Sequence, residues 1–238
     1  AEDLEAMRSA GYRDLDVEQI TTLSRHGLDG EELAELKAAG YGDLDTEEFV
    51  TLSRHGLDAE DLREWKKRGL ERYSVKELVA MTRSGLDAKD VASFVAAGFE
   101  DLGVEGFITL ARHGIDGRDL EELAEAGVGG LDAGQLATLS RYGIEGDEVR
   151  EWREAGMRSL EVEEMVILAQ HGVDGDDLRE WRRGGLENLT ARQAAELARY
   201  GVDRGDLRTM ARNGIPVRFE KVIALLRSGE LYELDDKE

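Results

Sequence analysis

Histidine is the natural metal ligand to consider first, because the chain contains no cysteine. The four histidines are separated by 29 or 58 residues, and each directly precedes a glycine: His26, His55, His113 and His171. A metal centre needs three or four ligands around one point. Side chains that recur once per stacked repeat lie about one helix diameter apart, so the spacing favours a role at helix C-termini, where histidine complements the helix dipole. We therefore predict no metal site and no cofactor.

Other motifs that could carry chemistry have structural explanations. Arg204, Gly205 and Asp206 spell an integrin-binding tripeptide, but Asp206 occupies a position that is acidic in every repeat. The segment 174–177, "DGDD", resembles half of a calcium loop but lacks the glutamate that closes an EF-hand. No serine lies in a nucleophile-elbow context, and we predict that the protein is not an enzyme. Three tryptophans share a position with Leu, Phe and Met in other repeats and are predicted core residues: Trp65, Trp152 and Trp181.

The charge balance limits the classes of partner. Lys and Arg number 31 against 53 Asp and Glu, which gives a net charge of −22. Such a chain repels phosphate backbones, so nucleic-acid binding is not expected. The longest apolar run, residues 165–169, is far shorter than the roughly 20 residues that cross a bilayer, and no basic-then-apolar leader is visible. These features predict a soluble protein without a membrane span, with the cytoplasm favoured.

Glycines followed by apolar residues recur with a period of 29 residues. One series consists of Gly27, Gly56, Gly85, Gly114, Gly143, Gly172 and Gly201, and the other of Gly40, Gly69, Gly98, Gly127, Gly156, Gly185 and Gly214. Together they divide each repeat into stretches of 16 and 13 residues. A glycine after the last helical turn can adopt the left-handed conformation, and the next apolar residue can fold back on the helix. Each glycine is therefore a predicted helix C-cap.

Helix starts are marked as clearly as helix ends. In the 13-residue stretches the predicted N-caps are acidic: Asp29, Asp58, Asp87, Asp116, Glu145, Asp174 and Asp203. The 16-residue stretches show the spacing of the capping box in Asp16 with Gln19, Asp45 with Glu48, Ser74 with Glu77, Asp132 with Gln135 and Thr190 with Gln193. Gly103 and Gly106 interrupt this pattern in one repeat. A cap contributes about 1 kcal/mol, which matters because helices of about ten residues are marginal alone.

Apolar spacing within the stretches predicts how the helices pack. The 16-residue stretch predicts a longer helix with a broad buried face, and the 13-residue stretch a shorter, more exposed helix with a narrow seam. Neither helix can bury its apolar face alone, so neighbouring repeats must stack. The predicted fold is all-α, an α-solenoid of about eight repeats and about 16 short helices. We predict one repeat domain, residues 1–238, with a half repeat at 1–10, seven repeats at 11–213, and a C-terminal cap with an acidic tail at 214–238.

Function should lie where the repeats differ from one another. The exposed face of the shorter helix varies most, and its basic residues form the predicted binding surface for a protein or peptide: Arg63, Lys66, Lys67, Arg179, Arg182 and Arg183. Arginines also recur in the last turns of the longer helices, where dipole complementarity is favoured over an anion-binding groove: Arg25, Arg54, Arg83, Arg112, Arg141 and Arg199. Two alternatives stay open, a structural or designed repeat array without a natural ligand and an acidic mimic of nucleic acid. The oligomeric state is left open.

Residues 40–69, "GYGDLDTEEFVTLSRHGLDAEDLREWKKRG", resemble the short paired-helix repeats that trail some bacterial membrane sensor metallopeptidases of the BlaR type. The shared features are Gly-Tyr, Leu-Ser, an apolar helix, a His-Gly helix end and a second helix, and the likeness extends over nearly the whole chain. The sequence departs where those repeats often have proline after the second glycine, and it has no His-Glu-x-x-His motif or membrane helix. The resemblance therefore implies an accessory interaction role and not protease activity.

Overall fold

A computed structural model describes residues 2–231, and all regular structure in this range is helical. The predicted acidic tail at 232–238 lies outside the described residues. The α-helices are α1 Glu2–Ser9, α2 Val17–Arg25, α3 Gly30–Ala38, α4 Thr46–Arg54, α5 Ala59–Lys67, α6 Val75–Arg83, α7 Ala88–Ala96, α8 Gly103–Arg112, α9 Gly117–Glu125, α10 Ala133–Arg141, α11 Gly146–Glu154, α12 Val162–Gln170, α13 Gly175–Arg183, α14 Ala191–Arg199, α15 Arg204–Arg212 and α16 Phe219–Ser228. A short 3₁₀ helix, Glu100–Leu102, precedes α8.

The two helices of a repeat have equal length, so the predicted distinction between longer and shorter helices is wrong. Both α2 and α3 contain nine residues. The three additional residues of the 16-residue stretch lie in the linker before its helix. The N-cap Asp16 is five residues after Gly11, whereas the N-cap Asp29 is two residues after Gly27. The position of the cap thus decides the length of each helix, and the distance between glycines does not.

Helices stack on the equivalent helices of the neighbouring repeats. The contacts divide the chain into two compact units, Ala1–Gly117 (unit 1) and Arg118–Glu238 (unit 2). The single repeat domain stays a prediction. In unit 1 the odd helices α1, α3, α5 and α7 pack in order, as do the even helices α2, α4, α6 and α8. In unit 2 the same order joins α11, α13 and α15, and separately α10, α12 and α14. Each unit is therefore a helical-repeat solenoid, and the predicted all-α fold class is confirmed.

The core follows the repeat. One position in each even helix is completely buried: Leu23, Leu52, Met81, Leu110, Leu139, Leu168 and Leu197. One position in the odd helices α3 to α15 is likewise buried: Leu33, Leu62, Val91, Leu120, Val149, Leu178 and Leu207. Complete burial of such a side chain contributes about 1.5–3 kcal/mol, which exceeds any difference in helix propensity. Packing between repeats is therefore the main source of stability for these nine-residue helices.

None of the helices in the described range is suited to crossing a bilayer, since the longest contain only ten residues.

Candidate functional site: arginines on the outer odd helices of unit 2

The predicted N-caps of the odd helices make reciprocal hydrogen bonds. The Asp29 carboxylate accepts hydrogen bonds from the amides of Glu31 and Glu32 at 2.7 and 3.1 Å, and the Glu32 carboxylate accepts one from the Asp29 amide at 2.7 Å. The amides of Glu32 and Glu31 lower the pKa of Asp29 because they stabilise its ionised form. Reciprocal capping also starts the other odd helices with a predicted cap, at Asp58, Asp87, Glu145, Asp174 and Asp203. Asp116 directly precedes α9 at the equivalent position.

Capping boxes also start the even helices apart from α8 and α16, and at α16 the side chain of the preceding residue, Arg218, does not cap the helix. The sequence analysis missed the box formed by Glu161 and Glu164 at α12, although the spacing of three residues was available as a signal. At α8 no side chain caps the helix, since Gly103 occupies the cap position of the other repeats. The 3₁₀ helix leads into α8 instead.

All fourteen predicted C-cap glycines lie two residues after the last residue of a helix, one position past the C-cap, and have a positive φ between +63° and +117°. At the end of α2 the Gly27 amide donates to the Ser24 carbonyl at 3.1 Å, and the Leu28 amide donates to the Leu23 carbonyl at 3.0 Å. This pair of bonds defines the Schellman motif. The glycines thus end helices.

The four histidines are the C-cap residues of even helices. The His26 carbonyl accepts a hydrogen bond from Ser53 Oγ at 2.8 Å, and His26 Nε2 lies 3.4 Å from Arg54 Nη2. Within residues 2–231, no three His, Asp or Glu side chains converge in an arrangement that could hold a metal ion. His26 therefore joins the end of α2 to α4 of the next repeat, whereas His171 Nδ1 contacts the Ile167 carbonyl of its own helix at 2.9 Å.

The tryptophans are core residues, and two of them also link helices. Trp152 and Trp181 are almost completely buried. Their indole N–H groups donate to the carbonyls of Val173 and Val202 at 2.8 and 2.7 Å. Each acceptor follows the glycine that ends the next even helix, so each tryptophan fixes an odd helix to that turn. This arrangement leaves no surface for an aromatic ligand cage.

The six predicted binding residues occupy three repeat-equivalent positions, on α5 in unit 1 and on α13 in unit 2. Lys67 pairs with Glu64 at 3.2 Å, and Arg179 pairs with Asp176 at 3.1 Å. Arg63 and Arg183 are exposed. The structure does not show a partner at either helix, so their binding role stays a prediction.

Lys66 and Arg182 have an additional structural role that the sequence analysis missed. A Cβ added at Gly40 would lie 2.5 Å from Lys66 Nζ, and one added at Gly156 would lie 3.2 Å from Arg182 Nη1. Each cation therefore lies beside the C-terminal turn of the preceding odd helix.

Equivalent cations make hydrogen bonds to that turn. Lys37 Nζ donates to the Ala10 carbonyl at 3.3 Å, and Arg153 Nη1 donates to the Ala126 carbonyl at 2.5 Å. Carbonyl groups at a helix C-terminus lack intrahelical donors and carry partial negative charge, which explains the preference for a cation.

Unit 2 collects arginines on three consecutive odd helices. Seven exposed and half-exposed arginines of α11, α13 and α15 occupy the same three repeat positions, and we call these seven the arginine face: Arg150, Arg153, Arg179, Arg182, Arg183, Arg208 and Arg212. Arg204, the first residue of α15, lies at a different repeat position and is not included. Because α13 packs against both α11 and α15, these residues belong to adjacent helices. The sequence analysis identified only the three on α13. The signal for the others was their separation of 29 residues from those three.

Some of these arginines form ion pairs or hydrogen bonds within the protein. Arg150 and Arg179 each pair with an aspartate on their own helix, and Arg153 binds the preceding helix end. Arg183 and Arg208 are exposed and form no ion pair with any residue of the described chain. These two side chains are therefore the members of the arginine face best placed for an external anion.

A cleft of about 370 Å³ adjoins the arginine face. Leu178 and Leu186 contribute apolar surface to its lining, and Arg158 and Arg182 contribute guanidinium groups. Asn188, also in the lining, has a φ of +57°, in the left-handed region that asparagine tolerates better than most residues. The cleft is a recess beside these cations.

No protein-family model matches this chain, and no curated protein gives a significant match to it. Its similarity to the repeats of the BlaR-type metallopeptidases thus stays an interpretation of the residues themselves.

Proposed function

We propose that this protein is a non-enzymatic helical-repeat scaffold that binds a protein or peptide, and that the arginine face of unit 2 binds an acidic segment of that partner. The observation that carries the proposal is the alignment of seven arginines on three stacked helices, in a chain with a net charge of −22. The accessory interaction role implied by the BlaR-type resemblance agrees with this proposal.

The arginine face is not required by the repeat itself. Positions that stack or cap helices keep their character in nearly every repeat, whereas the position of Arg150 is occupied elsewhere by Ala34, Ala92 or Glu121. The helices that contain Ala34 and Ala92, α3 and α7, have the same length as α11 and pack in the same order in unit 1. Folding of the repeat therefore does not require these arginines, and we attribute them to binding.

Helix dipoles explain only part of the pattern. A cation gains from the dipole within the last turn of a helix, which accounts for Arg153 and Arg182. Arg150, Arg179 and Arg208 lie at the middle residue of their nine-residue helices. Guanidinium groups bind carboxylates through paired hydrogen bonds, so a surface with this composition suits aspartate and glutamate side chains.

The test uses a fluorescent twelve-residue peptide in which glutamate alternates with serine. The whole chain repels such a peptide, so saturable binding would report a local basic site. We expect binding by fluorescence anisotropy at low salt, and at least a fivefold loss of affinity in the double variant Arg183→Ala, Arg208→Ala. Neither side chain is buried, so circular dichroism should show an unchanged helix content.

Two controls make the result specific. Arg141→Ala removes an exposed arginine from the even helix α10 of the same unit and should leave the affinity unchanged. A peptide with glutamine in place of glutamate should not bind. Absence of acidic-peptide binding, or equal binding by the double variant, would rule out the arginine face as the site. Salt-sensitive capture of a lysine peptide by every variant alike would instead support the acidic mimic.

A further inference from the structure

The cleft beside the arginine face is lined by two guanidinium groups that have no partner within the protein. Arg158 lies in the linker after α11, and Arg182 lies in the last turn of α13. Both side chains are exposed, and neither makes a hydrogen bond or an ion pair with any residue in the described part of the chain. Two unpaired cations therefore border one recess of about 370 Å³, which exceeds the lower limit of about 300 Å³ for ligand pockets.

The equivalents of Arg182 in two other repeats are held by the protein itself. Lys37 Nζ donates a hydrogen bond to the end of the preceding odd helix and lies 5.5 Å from the centre of the Tyr12 ring. Arg153 Nη1 donates to the corresponding helix end in its own repeat. Met157 occupies the position of Tyr12 in the cleft and offers no ring to a cation. The guanidinium of Arg182 is thus available to a ligand.

The remaining lining residues determine which anion fits. Glu187 is the one acidic residue among the described lining residues, so the side chains of the lining carry two positive charges and one negative charge. This balance favours a singly charged carboxylate over a phosphate dianion. Met157 and Leu189 also line the cleft and are only half-buried. Their apolar surface favours an aliphatic side chain beside the carboxylate, because contact would remove both from water.

We propose that this cleft binds one acidic residue of the partner segment together with the aliphatic residue next to it. Arg158 and Arg182 bind the carboxylate, and Met157 and Leu189 contact the aliphatic side chain. This inference rests on the proposed function, since it specifies which part of an acidic segment the cleft binds. The arginine face alone accepts any acidic sequence, whereas the cleft favours a segment in which Leu, Ile or Met adjoins Asp or Glu.

The test compares two fluorescent peptides with the full chain. The first is the twelve-residue peptide of alternating glutamate and serine, and the second, the leucine peptide, has leucine in place of one central serine. We expect the leucine peptide to bind at least threefold more tightly by anisotropy, because its leucine buries apolar surface in the cleft. Arg158→Gln should weaken binding of the leucine peptide at least threefold, because it removes the charged donor. Met157→Gln should remove most of the difference between the two peptides.

A second readout locates the bound leucine in the unsubstituted protein. The chain contains five methionines, of which Met7, Met81, Met165 and Met210 are buried and Met157 is only half-buried. In protein labelled with ¹³C at the methionine methyl groups, the leucine peptide should shift the NMR signal of Met157. The signals of the four buried methionines should not move. Met157→Gln assigns the signal, because that signal disappears from the spectrum of the variant.

The matched control is Arg192→Gln, which removes an exposed arginine from α14 of the same unit, outside both the cleft and the arginine face. It should bind both peptides as the unchanged protein does. A leucine peptide with glutamine in place of every glutamate should not bind. A leucine peptide with phosphoserine in place of the glutamate beside leucine should bind no more tightly than the leucine peptide. Tenfold tighter binding would assign the cleft to phosphate and refute the carboxylate as its ligand.

The outcomes separate this inference from the proposed function. Equal affinity for the two peptides, an unmoved Met157 signal, or equal binding of the leucine peptide by Arg158→Gln would overturn the cleft as the site. Weaker binding of the first peptide by the Arg183, Arg208 double variant would in that case still support the arginine face. Binding of the leucine peptide that depends on Arg158 but not on Arg183 and Arg208 would support the cleft and refute the arginine face. If neither peptide binds, both proposals are wrong.

Discussion

At the scale of single residues, a glycine that ends a helix contributes through its backbone conformation. Gly56 has a φ of +68°, and a Cβ added there would meet no heavy atom within 4 Å. The cost of Gly56→Ala should therefore come from the left-handed conformation alone, roughly 1–2 kcal/mol. Urea unfolding of the two proteins measures this difference.

The matched control for that change is Gly129→Ala. Gly129 also has open space around its position but does not have a positive φ. Its substitution should alter the free energy of unfolding by less than about 0.5 kcal/mol. Equal destabilisation by the two variants would show that the left-handed conformation is not what makes glycine necessary at position 56.

A capping carboxylate should make stability depend on pH. The amide of Ser74 donates to Glu77 at 2.8 Å, as does its hydroxyl, and these bonds lower the pKa of Glu77. Because the folded-state pKa lies below the unfolded value of about 4.3, the stabilisation is complete above that value and is lost as the pH falls through the folded pKa. Glu77→Gln should therefore be less stable than the unchanged protein at pH 7, with a smaller difference at pH 3.

Thermal unfolding at the two pH values checks this expectation. Glu47→Gln is the control, since Glu47 lies in the first turn of α4 outside its capping box. At pH 7 its melting temperature should differ less from that of the unchanged protein than the melting temperature of Glu77→Gln does. A difference for Glu77→Gln that is constant from pH 7 to pH 3 would contradict a role for the ionised cap.

At the scale of helices, the tryptophan hydrogen bonds should contribute measurably to the packing between elements. Trp181→Phe keeps most of the apolar volume but removes the donor to the buried Val202 carbonyl. An unsatisfied buried acceptor costs about 1–3 kcal/mol. The melting temperature should therefore fall by several degrees. Trp152→Phe should lower it by a similar amount, because Trp152 donates an equivalent hydrogen bond to the Val173 carbonyl. Unchanged melting in both variants would limit tryptophan to a space-filling role.

Helix ends were predictable from the sequence because their signals are local. A capping box spans four residues and a Schellman motif six, so Asp45 with Glu48, or Gly27 with Leu28, can be recognised without knowledge of the fold. Helix length could not be predicted from the spacing of the glycines, because that spacing includes the linker as well as the helix. The contact of Lys37 with Ala10 spans 27 residues and depends on how repeats stack, which the sequence pattern alone does not specify.

At the scale of the whole molecule, the period of 29 residues predicted the fold class but not where each surface would differ. The arginine face emerges only when α11, α13 and α15 are placed side by side, since each helix alone carries an ordinary mixture of acids and bases. The exposure of Val17 was not predicted for a related reason. Val17 has the same place in the pattern as the buried Val75, and only the presence or absence of a neighbouring helix distinguishes them.

The net charge of −22 should make the protein more stable in salt. Repulsion among surplus carboxylates is greater in the compact state, and the Debye length falls from about 30 Å at 0.01 M to about 10 Å at 0.1 M salt. Screening also weakens surface pairs such as Arg118 with Glu122, but exposed pairs contribute only about 0–1 kcal/mol each. Repulsion should dominate, so the melting temperature should rise between 10 and 200 mM NaCl.

A variant with two fewer negative charges tests whether repulsion among carboxylates causes the dependence on salt. Glu121→Gln with Glu125→Gln removes two exposed negative charges from α9, and the rise in melting temperature with NaCl should become smaller. The same change should raise the melting temperature at 10 mM NaCl, because it relieves repulsion that salt would otherwise screen. A melting temperature that falls with added NaCl would mean that local ion pairs and capping charges outweigh the repulsion of the acidic surplus.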